Sequence, residues 1–331
     1  MFKVLKFRAS IILTVFLRKL FTLRTRLFHR KGTLEHWSSP VSWYSLGEFK
    51  TYWETLAAVG RYQNSCITGD EKKNFLEYTI EYVKKEVGER NLVGLSIGCG
   101  EEAKPEMVFC ETGFFTSFEV MDIAGGLLKK QEKIARSRGL NFIKYTQQNL
   151  NQVVLEKNHY DLIWAIGTVH HIENLENFFE QVRQALKDNG IFVMREYVGP
   201  NYLQFTDDQL ERVKNILKTL PAKYKRNWRG RPKKREPRIE IQQLIKTDPS
   251  EAVRSSEIMG LLEKMLQVEY SVKTGGTLLH PLLSGIAANF EIVPGGEAIL
   301  SELIAQEKKL MAEGSIPSDY IFCIAKKIKH Y

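Results

Sequence analysis

The chain has 331 residues, of which 43% are hydrophobic and 26% are charged, a composition typical of a globular protein with a sizeable core. Its four cysteines include no C-x-x-C pair and no metal-ligand spacing, which argues against a disulfide scaffold and favours a reducing, cytoplasmic compartment. The formal net charge of +9 arises from nine basic residues, without a single acid, among residues 1–31, and the rest of the chain is balanced.

The N-terminal segment, residues 1–33, combines these basic residues with an apolar stretch over residues 9–17. Nine residues are too few to cross a bilayer as a helix, and no small-residue cleavage site of a secretory signal follows. Three hypotheses remain open. Residues 1–31 contact an anionic membrane surface, which would place the protein at the inner membrane surface; they form an ordinary N-terminal helix or disordered tail; or they act as a targeting peptide.

Residues 34–90 are predicted to form helices that cover the domain after them. Beyond residue 90 strands alternate with helices, and this alternation predicts an α/β fold with a parallel, doubly wound, Rossmann-like sheet. In such sheets ligands bind outside the carboxyl ends of the strands, at the switch point of the strand order. The predicted strands are 93–97, 117–123, 141–145, 160–166 and 191–197, and the predicted helices between them are 125–136 and 175–186.

A further group of elements follows Pro200. Thr206 is suited to cap a helix that extends to Leu220, and another helix is predicted to start near Asp248. Between these helices, the basic run 223–238 contains Gly and Pro, which favour a loop. The remaining predicted strands are 268–274 and 320–325.

The most informative motif is the apolar run that ends in Gly98 and Gly100. Glycine lets the backbone approach a ligand closely, and Asp122, some two dozen residues later, can accept hydrogen bonds from ribose hydroxyls. These features fit either a dinucleotide or S-adenosylmethionine. The third glycine of the dinucleotide motif is missing, and Glu101 and Glu102 would repel a pyrophosphate. A cationic sulfonium ligand tolerates these carboxylates, so the residues favour S-adenosylmethionine.

Several motifs in this region resemble those of class I S-adenosylmethionine-dependent methyltransferases, over about residues 90–200. They are most similar to the small-molecule branch that includes the quinone-biosynthesis C-methyltransferases. The chain departs from the family at Ser96, where an acid is usual, and at Glu102, which replaces the third glycine. The motifs that carry the resemblance are Gly98-Cys99-Gly100, Asp122, Asn149-Leu150-Asn151, Tyr160-Asp161-Leu162-Ile163, His170-His171-Ile172 and Leu186-Lys187-Asp188-Asn189-Gly190.

The resemblance implies a seven-stranded sheet, S-adenosyl-L-methionine as cofactor, and a methyltransferase domain over residues 91–331. Residues 200–265 are interpreted as an inserted helical cap over the substrate. The residues expected to contact the cofactor lie in the glycine turn, after the next strands and in the N-terminal helical cover: Gly98, Cys99, Gly100, Asp122, Ile123, Asn149, Leu150, Ile166, Gly167 and Tyr62.

Methyl transfer requires an aligned acceptor and, when the acceptor is a hydroxyl, removal of a proton. Histidine is suited to this step near neutral pH, so His170 and especially His171 are candidate bases. Glu196, at the end of the next strand, is a candidate to orient the acceptor or to act as the base itself. No metal ligands are predicted. Weaker candidates for contact with the acceptor are Tyr197, Arg254 and His280.

The predicted function is therefore methyl transfer to a small-molecule acceptor or to one linked to a lipid or glycan, with O-methylation favoured over C- or N-methylation. One alternative is an RNA methyltransferase that uses the basic run 223–238. The balanced charge outside residues 1–31 and the lack of a recognisable RNA-binding module argue against nucleic acid as a partner. The other alternative is a catalytically silent protein that binds S-adenosylmethionine.

Overall fold

The computed structural model describes residues 45–46, 49–100 and 104–328. The predictions for residues 1–33 and for Glu101 and Glu102 therefore lie outside the described residues. Among the residues that are described, no helix is both long and apolar enough to span a membrane. The chain divides into two compact units. Among the described residues, one unit contains those up to Lys72 with 203–248 and 274–319. The other contains those between 73 and 202, residues 249–273 and those from Tyr320 onward.

A seven-stranded sheet is formed by β1 Leu92–Ile97, β2 Phe115–Asp122, β3 Ile143–Gln147, β4 Tyr160–Ile166, β5 Leu186–Tyr197, β6 Leu266–Gly275 and β7 Tyr320–Lys327. The strand order is β3-β2-β1-β4-β5-β7-β6. Neighbouring strands among β1 to β5 pair in parallel, and β7 is antiparallel to β5. The order changes direction between β1 and β4, which creates the switch point at which such sheets bind ligands. The doubly wound, seven-stranded fold predicted from the sequence is thereby confirmed.

The central strands bury side chains on both faces, as expected for a parallel sheet covered by helices on each side. Ile163 and Trp164 are adjacent in β4 and therefore point to opposite faces. The ring of Trp164 contacts Phe109 and Phe75 at centroid distances of 4.8 and 5.7 Å. Ile163 belongs to the core cluster that includes Phe178. This buried apolar contact on both faces holds the carboxyl ends of the strands in fixed positions.

Helices of the unit that contains most of the sheet are α2 Phe75–Glu86, α3 Lys104–Glu111, α4 Gly125–Ser137, α5 Leu175–Ala185 and α8 Ile258–Met265. Those of the other unit are α1 Ala57–Thr68, α6 Asp207–Thr219, α7 Ile241–Thr247, α9 Leu279–Leu283, α10 Asn289–Ile292 and α11 Gly296–Ala312. Short 3₁₀ turns occupy Trp53–Thr55, Leu150–Gln152, Val169–His171, Asn201–Leu203 and Ser255–Glu257, and Ser45–Leu46 pairs with Phe49–Lys50.

The cap of α6 forms as the sequence predicts. The Thr206 side chain accepts a hydrogen bond from the backbone N–H of Gln209, and the Gln209 side chain accepts one from the N–H of Thr206. This reciprocal pair satisfies two N–H groups that the first helical turn leaves without helical partners. The basic run 223–238 contains no helix and pairs only through an isolated bridge between Arg226 and Pro232, so the predicted loop is confirmed.

The prediction of a helix that starts near Asp248 is wrong. Residues 249–254 form turns, and α8 begins only at Ile258. The reason is that backbone groups here bind other segments: the N–H of Val253 donates to the carbonyl of His170, and the carbonyl of Ala252 accepts from the N–H of Tyr202. Ala252 has a φ of 50°, which is incompatible with a right-handed helix.

Strand boundaries also differ from the prediction, by a few residues in most strands and by five at the start of β5. β5 begins at Leu186 rather than at residue 191, because Leu186 pairs with Tyr160 before the register shifts and pairing resumes between Leu162 and Ile191. Residues 203–248 belong to one unit and residues 249–265 to the other. The role of residues 200–265 as a cap over the substrate stays a prediction.

Candidate active site

The glycine turn follows β1 directly. Gly98 has a φ of 76° and Gly100 a φ of 60°, a region that residues with a Cβ rarely occupy. A Cβ on Gly98 would lie 2.0 Å from Oγ1 of Thr168. Both conformation and space therefore require glycine at position 98, and the turn packs directly against the loop that follows β4.

Asp122 connects this turn to the end of β2. Its Oδ2 accepts a hydrogen bond of 2.9 Å from the backbone N–H of Cys99, and its Oδ1 accepts one of 2.7 Å from that of Ala124. A carboxylate has about four lone-pair directions, so Oδ1, with one donor, keeps capacity for a further one. Asp122 thus holds the turn in place and retains an acceptor suited to a ribose hydroxyl.

The Cys99 thiol lies 3.3 Å from Oδ2 of Asp122. Burial and the nearby carboxylate both raise the pKa of this thiol well above its usual range, so the sulfur stays protonated. A neutral thiol is a poor nucleophile, and Cys99 therefore acts in the turn as a small, buried side chain.

Glu106 on α3 was not identified from the sequence. Its Oε1 accepts a hydrogen bond of 2.6 Å from Oγ of Ser96, so it supplies a carboxyl group beside the position where the family usually has an acid. The side chain is buried, and burial raises its pKa to about 7. The only signal in the sequence is an acid directly before the apolar run 107–110.

Three buried polar atoms near the turn have no hydrogen-bond partner among the described residues: Oε2 of Glu106, Oε1 of Gln131 and the hydroxyl of Tyr145. Gln131 also donates to the carbonyl of Gly100 at 3.0 Å. Buried polar atoms are normally satisfied by protein, water or ligand. Together with Asp122 they form a polar, acidic surrounding that fits a cationic ligand with hydroxyl groups, such as S-adenosylmethionine.

The other predicted cofactor residues of this unit lie where β2, β3 and β4 end. Gly167 has a φ of 59° and donates to the carbonyl of Arg195, and it follows Ile166 at the end of β4. Oδ1 of Asn149 accepts from the N–H of Asn151 and caps a short 3₁₀ turn, whereas Leu150 packs on the core. Ile123 follows Asp122 and is half-buried. Their contact with the cofactor stays a prediction.

Tyr62 and His280 belong to the other unit. Tyr62 is buried on α1, and burial raises the pKa of its phenol. The ring of His280 lies 5.5 Å from that of Tyr52 and 5.4 Å from that of Phe205, measured between centroids. Their predicted roles, contact with the cofactor and with the acceptor, stay predictions.

The two histidines form a short 3₁₀ turn after β4, and Glu196 holds this turn from β5. Oε2 of Glu196 accepts from the backbone N–H groups of Thr168 and Val169 at 2.8 and 2.6 Å, and Oε1 contacts Nδ1 of His170. The carboxylate is buried. Because it accepts from Nδ1–H, the Nε2 atom of a neutral His170 carries the lone pair. Glu196 therefore positions the histidine turn.

A loop about 80 residues later completes this cluster. Nδ1 of His171 lies 3.1 Å from Oγ of Ser250, and Nε2 of His170 lies 3.8 Å from Oε1 of Glu251. The imidazole rings are 4.0 Å apart between centroids. Ser250 and Glu251 were missed as site residues because nothing in their local sequence indicates this long-range approach.

The remaining candidates for the acceptor have internal partners. The Tyr197 hydroxyl donates to the carbonyl of Pro200 at 3.0 Å. The Arg254 guanidinium makes two hydrogen bonds of 2.7 Å to Glu176 and also pairs with Glu257. The hydrogen bonds from Arg254 lower the pKa of Glu176 to about 2. One cation between two carboxylates leaves a net negative charge, which weakens the case for an anionic acceptor group at Arg254.

Residues 95–194 match the model of a family described as a methyltransferase domain. The N-terminal Xaa-Pro-Lys N-methyltransferase 1-A of Xenopus laevis is 24% identical over 162 residues, which cover 46% of this chain and 70% of that protein. The strand order and the glycine turn agree with this match, and S-adenosylmethionine is the cofactor that the match supports.

Two solved structures are among those to which the chain is similar. Geranyl diphosphate C-methyltransferase from Streptomyces coelicolor A3(2) has a TM-score of 0.44 and 12% identity, with 76% of this chain and 80% of that chain covered. A putative sarcosine dimethylglycine methyltransferase from Galdieria sulphuraria has a TM-score of 0.44 and 15% identity, with 78% and 88% covered.

Substitution of Gly98 by alanine should weaken binding of S-adenosylhomocysteine about tenfold or more, since a left-handed backbone conformation costs a residue with a Cβ on the order of 1–3 kcal/mol. Calorimetry measures this loss. Gly126→Ala is the matched control, because a Cβ there meets no atom within 4 Å. Adding Thr168→Gly to Gly98→Ala should restore part of the affinity by removing the clash. Full affinity of Gly98→Ala alone would show that the turn does not form the binding site.

Replacement of Glu106 by glutamine should stabilise the protein more at pH 8 than at pH 5. Burial raises the pKa of Glu106 from 4.5 to about 7. Between these values the folded protein keeps a proton that the unfolded chain has lost, so this group lowers stability as the pH rises through that range. Urea unfolding of Glu106→Gln and of the exposed control Glu111→Gln at both pH values measures the difference. An equal effect of Glu106→Gln at both pH values would contradict the prediction.

Proposed function

We propose that the chain transfers the methyl group of S-adenosylmethionine to a hydroxyl of a small-molecule acceptor or of one linked to a lipid or glycan. The cofactor supplies a methyl group on an electrophilic sulfonium. The protein must align the acceptor and remove its proton. The observation that carries the proposal is the buried contact between Glu196 and His170, at the same edge of the sheet as the glycine turn.

This contact makes His170 a suitable base. The carboxylate holds Nδ1–H, fixes the ring and increases the basicity of Nε2, which is the atom left to accept a proton. The sequence favours His171, which the hydroxyl of Ser250 orients. We propose that His170 is the base and that His171 orients the acceptor beside it. Glu196 then acts through His170 rather than on the acceptor.

The chemical class of the acceptor is inferred from the sequence. The resemblance to the branch that includes quinone-biosynthesis enzymes favours a small organic acceptor. A lipid-linked acceptor would agree with attachment of residues 1–31 to the inner face of a membrane, in an otherwise cytoplasmic protein. A protein amine is a second candidate acceptor, since the Xenopus laevis relative is named an N-methyltransferase of an N-terminal Xaa-Pro-Lys sequence. Proton removal by an imidazole serves either acceptor.

The basic run gives little support to RNA as the acceptor. Three of its four lysines donate to carbonyl oxygens within the protein: Lys223 to Pro294 at 3.0 Å, Lys225 to Leu217 at 2.6 Å and Lys233 to Pro281 at 2.6 Å. Arg226 donates to Gly230, and Arg238 to Phe205 and Asp207. Tyr224 is buried and cannot stack on a base. These cations hold the loop in place, which weakens the argument from charge for nucleic acid.

A silent binding protein is a less favoured alternative. Its motivation is Ser96, which replaces an acid usual in the family, and Glu102, which replaces the third glycine and lies outside the described residues. Because the Glu106 carboxyl group accepts a hydrogen bond from Ser96, the departure at Ser96 gives no reason to expect a loss of activity. The imidazole held by a buried carboxylate is a catalytic arrangement that a silent domain does not need.

The test is transfer from radiolabelled S-adenosylmethionine, using the full chain and separate small-molecule, lipid, RNA and protein fractions of a cell extract. Label should appear in the small-molecule or lipid fraction. His170→Gln should lower the turnover of that acceptor about 100-fold or more, the usual contribution of a general base, and leave affinity for S-adenosylhomocysteine nearly unchanged. His159→Gln, at a half-buried histidine paired with Glu156, should have no effect.

The outcomes separate the candidates. Label in the protein fraction alone would favour the amine acceptor, and label in RNA alone would contradict the proposal. Binding of S-adenosylhomocysteine without transfer to any fraction would favour the silent protein. A fully active His170→Gln would exclude this imidazole as the base.

A further inference from the structure

The histidine turn and the loop beside it bring three metal-binding side chains together. His170, His171 and Glu251 each offer one donor atom, and these atoms lie within 4.8 Å of one another. The His170 and Glu251 side chains are 12% and 25% exposed, so the cluster is accessible from outside and partly shielded. Two imidazole nitrogens and one carboxylate oxygen would occupy three coordination positions of an ion and leave the others open for further ligands.

Glu196 gives one of these histidines the environment of a metal ligand. In metal sites, a coordinating histidine almost always donates its other ring N–H to a carboxylate, a backbone carbonyl or water, which fixes the tautomer and ring orientation. Glu196 contacts Nδ1 of His170 in this manner, and the opposite nitrogen, Nε2, faces Oε1 of Glu251 at 3.8 Å. The tautomer that Glu196 favours therefore presents a lone pair to the centre of the cluster.

The loop that carries Glu251 is held against the histidine turn on both sides. Before Glu251, Oγ of Ser250 lies 3.1 Å from Nδ1 of His171. After it, the backbone N–H of Val253 donates to the carbonyl of His170 at 3.2 Å. The carboxylate is thereby held close to the imidazoles, so that small side-chain movements suffice to bring three donor atoms to one ion.

The charges favour a dication. With neutral imidazoles, Glu196 and Glu251 give the cluster a charge of −2, and Glu196 is buried. Arg254 is next to Glu251 in the chain, but its guanidinium pairs with Glu176 and Glu257 instead. Imidazole nitrogen favours Zn²⁺, Fe²⁺, Co²⁺ or Ni²⁺ over Mg²⁺ and Ca²⁺, which prefer oxygen.

We propose that His170, His171 and Glu251 bind one divalent transition-metal ion of the Zn²⁺ type, with Glu196 as the outer carboxylate. Two histidines and a glutamate leave at least one coordination position for water or for an oxygen of an acceptor. Coordination by Nε2 of His170 and acceptance of a proton by the same atom exclude each other, so the metal-loaded and metal-free proteins are distinct states. Metal binding itself does not rest on the proposed function.

The test is calorimetric titration of the chelator-treated full chain with Zn²⁺, without cofactor, followed by titration with Co²⁺, which reports coordination through its visible absorption. One equivalent of Zn²⁺ should bind much more tightly than Mg²⁺. Glu251→Gln and His170→Gln should each weaken binding at least about tenfold, the lower end of the loss that even outer-shell substitutions cause. Glu156→Gln, at an exposed glutamate paired with His159, should bind as the unchanged chain does. Circular dichroism shows whether each variant folds.

Three results would overturn the site: no uptake of Zn²⁺ at micromolar concentration, equal affinity for Mg²⁺, or unchanged affinity in a folded Glu251→Gln protein. The titration contains no cofactor and no acceptor. Zn²⁺ uptake without methyl transfer in the separate assay would therefore contradict only the proposed function, and methyl transfer without Zn²⁺ uptake would contradict only the metal site.

Discussion

The site depends on one buried carboxylate, that of Glu196. It accepts from two consecutive backbone N–H groups after β4 and from the first histidine, and thereby ties β4 and β5 together where both strands end. A buried carboxylate is costly unless its lone pairs are satisfied. These donors satisfy it, and the cost of separating them keeps the histidine turn in a single arrangement. The orientation of the His170 imidazole follows from this constraint, whereas that of His171 also depends on Ser250.

Asp122 positions the glycine turn in the same way as Glu196 positions the histidine turn. There too a carboxylate at the end of a strand accepts backbone N–H groups and so determines the course of a loop. Glu106 adds a second, fully buried acid beside the same turn. An acidic surrounding suits a cationic sulfonium better than a pyrophosphate, which agrees with S-adenosylmethionine as the cofactor.

Regular elements could be predicted closely because their signals are local. β4 was predicted over the same residues, 160–166, and α6 begins after Thr206 as its capping motif indicates. The helix expected near Asp248 failed although its local start signals were good. Backbone hydrogen bonds from that segment to His170 and Tyr202 outweigh the local preference, and such partners are not visible in a short stretch of sequence.

By itself, the sequence determined the alternation of strands and helices, the glycine turn and the acid that follows it on β2, since apolar periodicity and short motifs act over a few residues. Only the tertiary structure decided which side chains meet across long separations. It placed Glu251 and Ser250 beside the histidine turn and the carboxyl group of Glu106 on Ser96. It also paired Arg254 with Glu176. These side-chain contacts depend on the strand order and on how loops fold back over the sheet. They therefore depend on interactions that no local sequence pattern encodes.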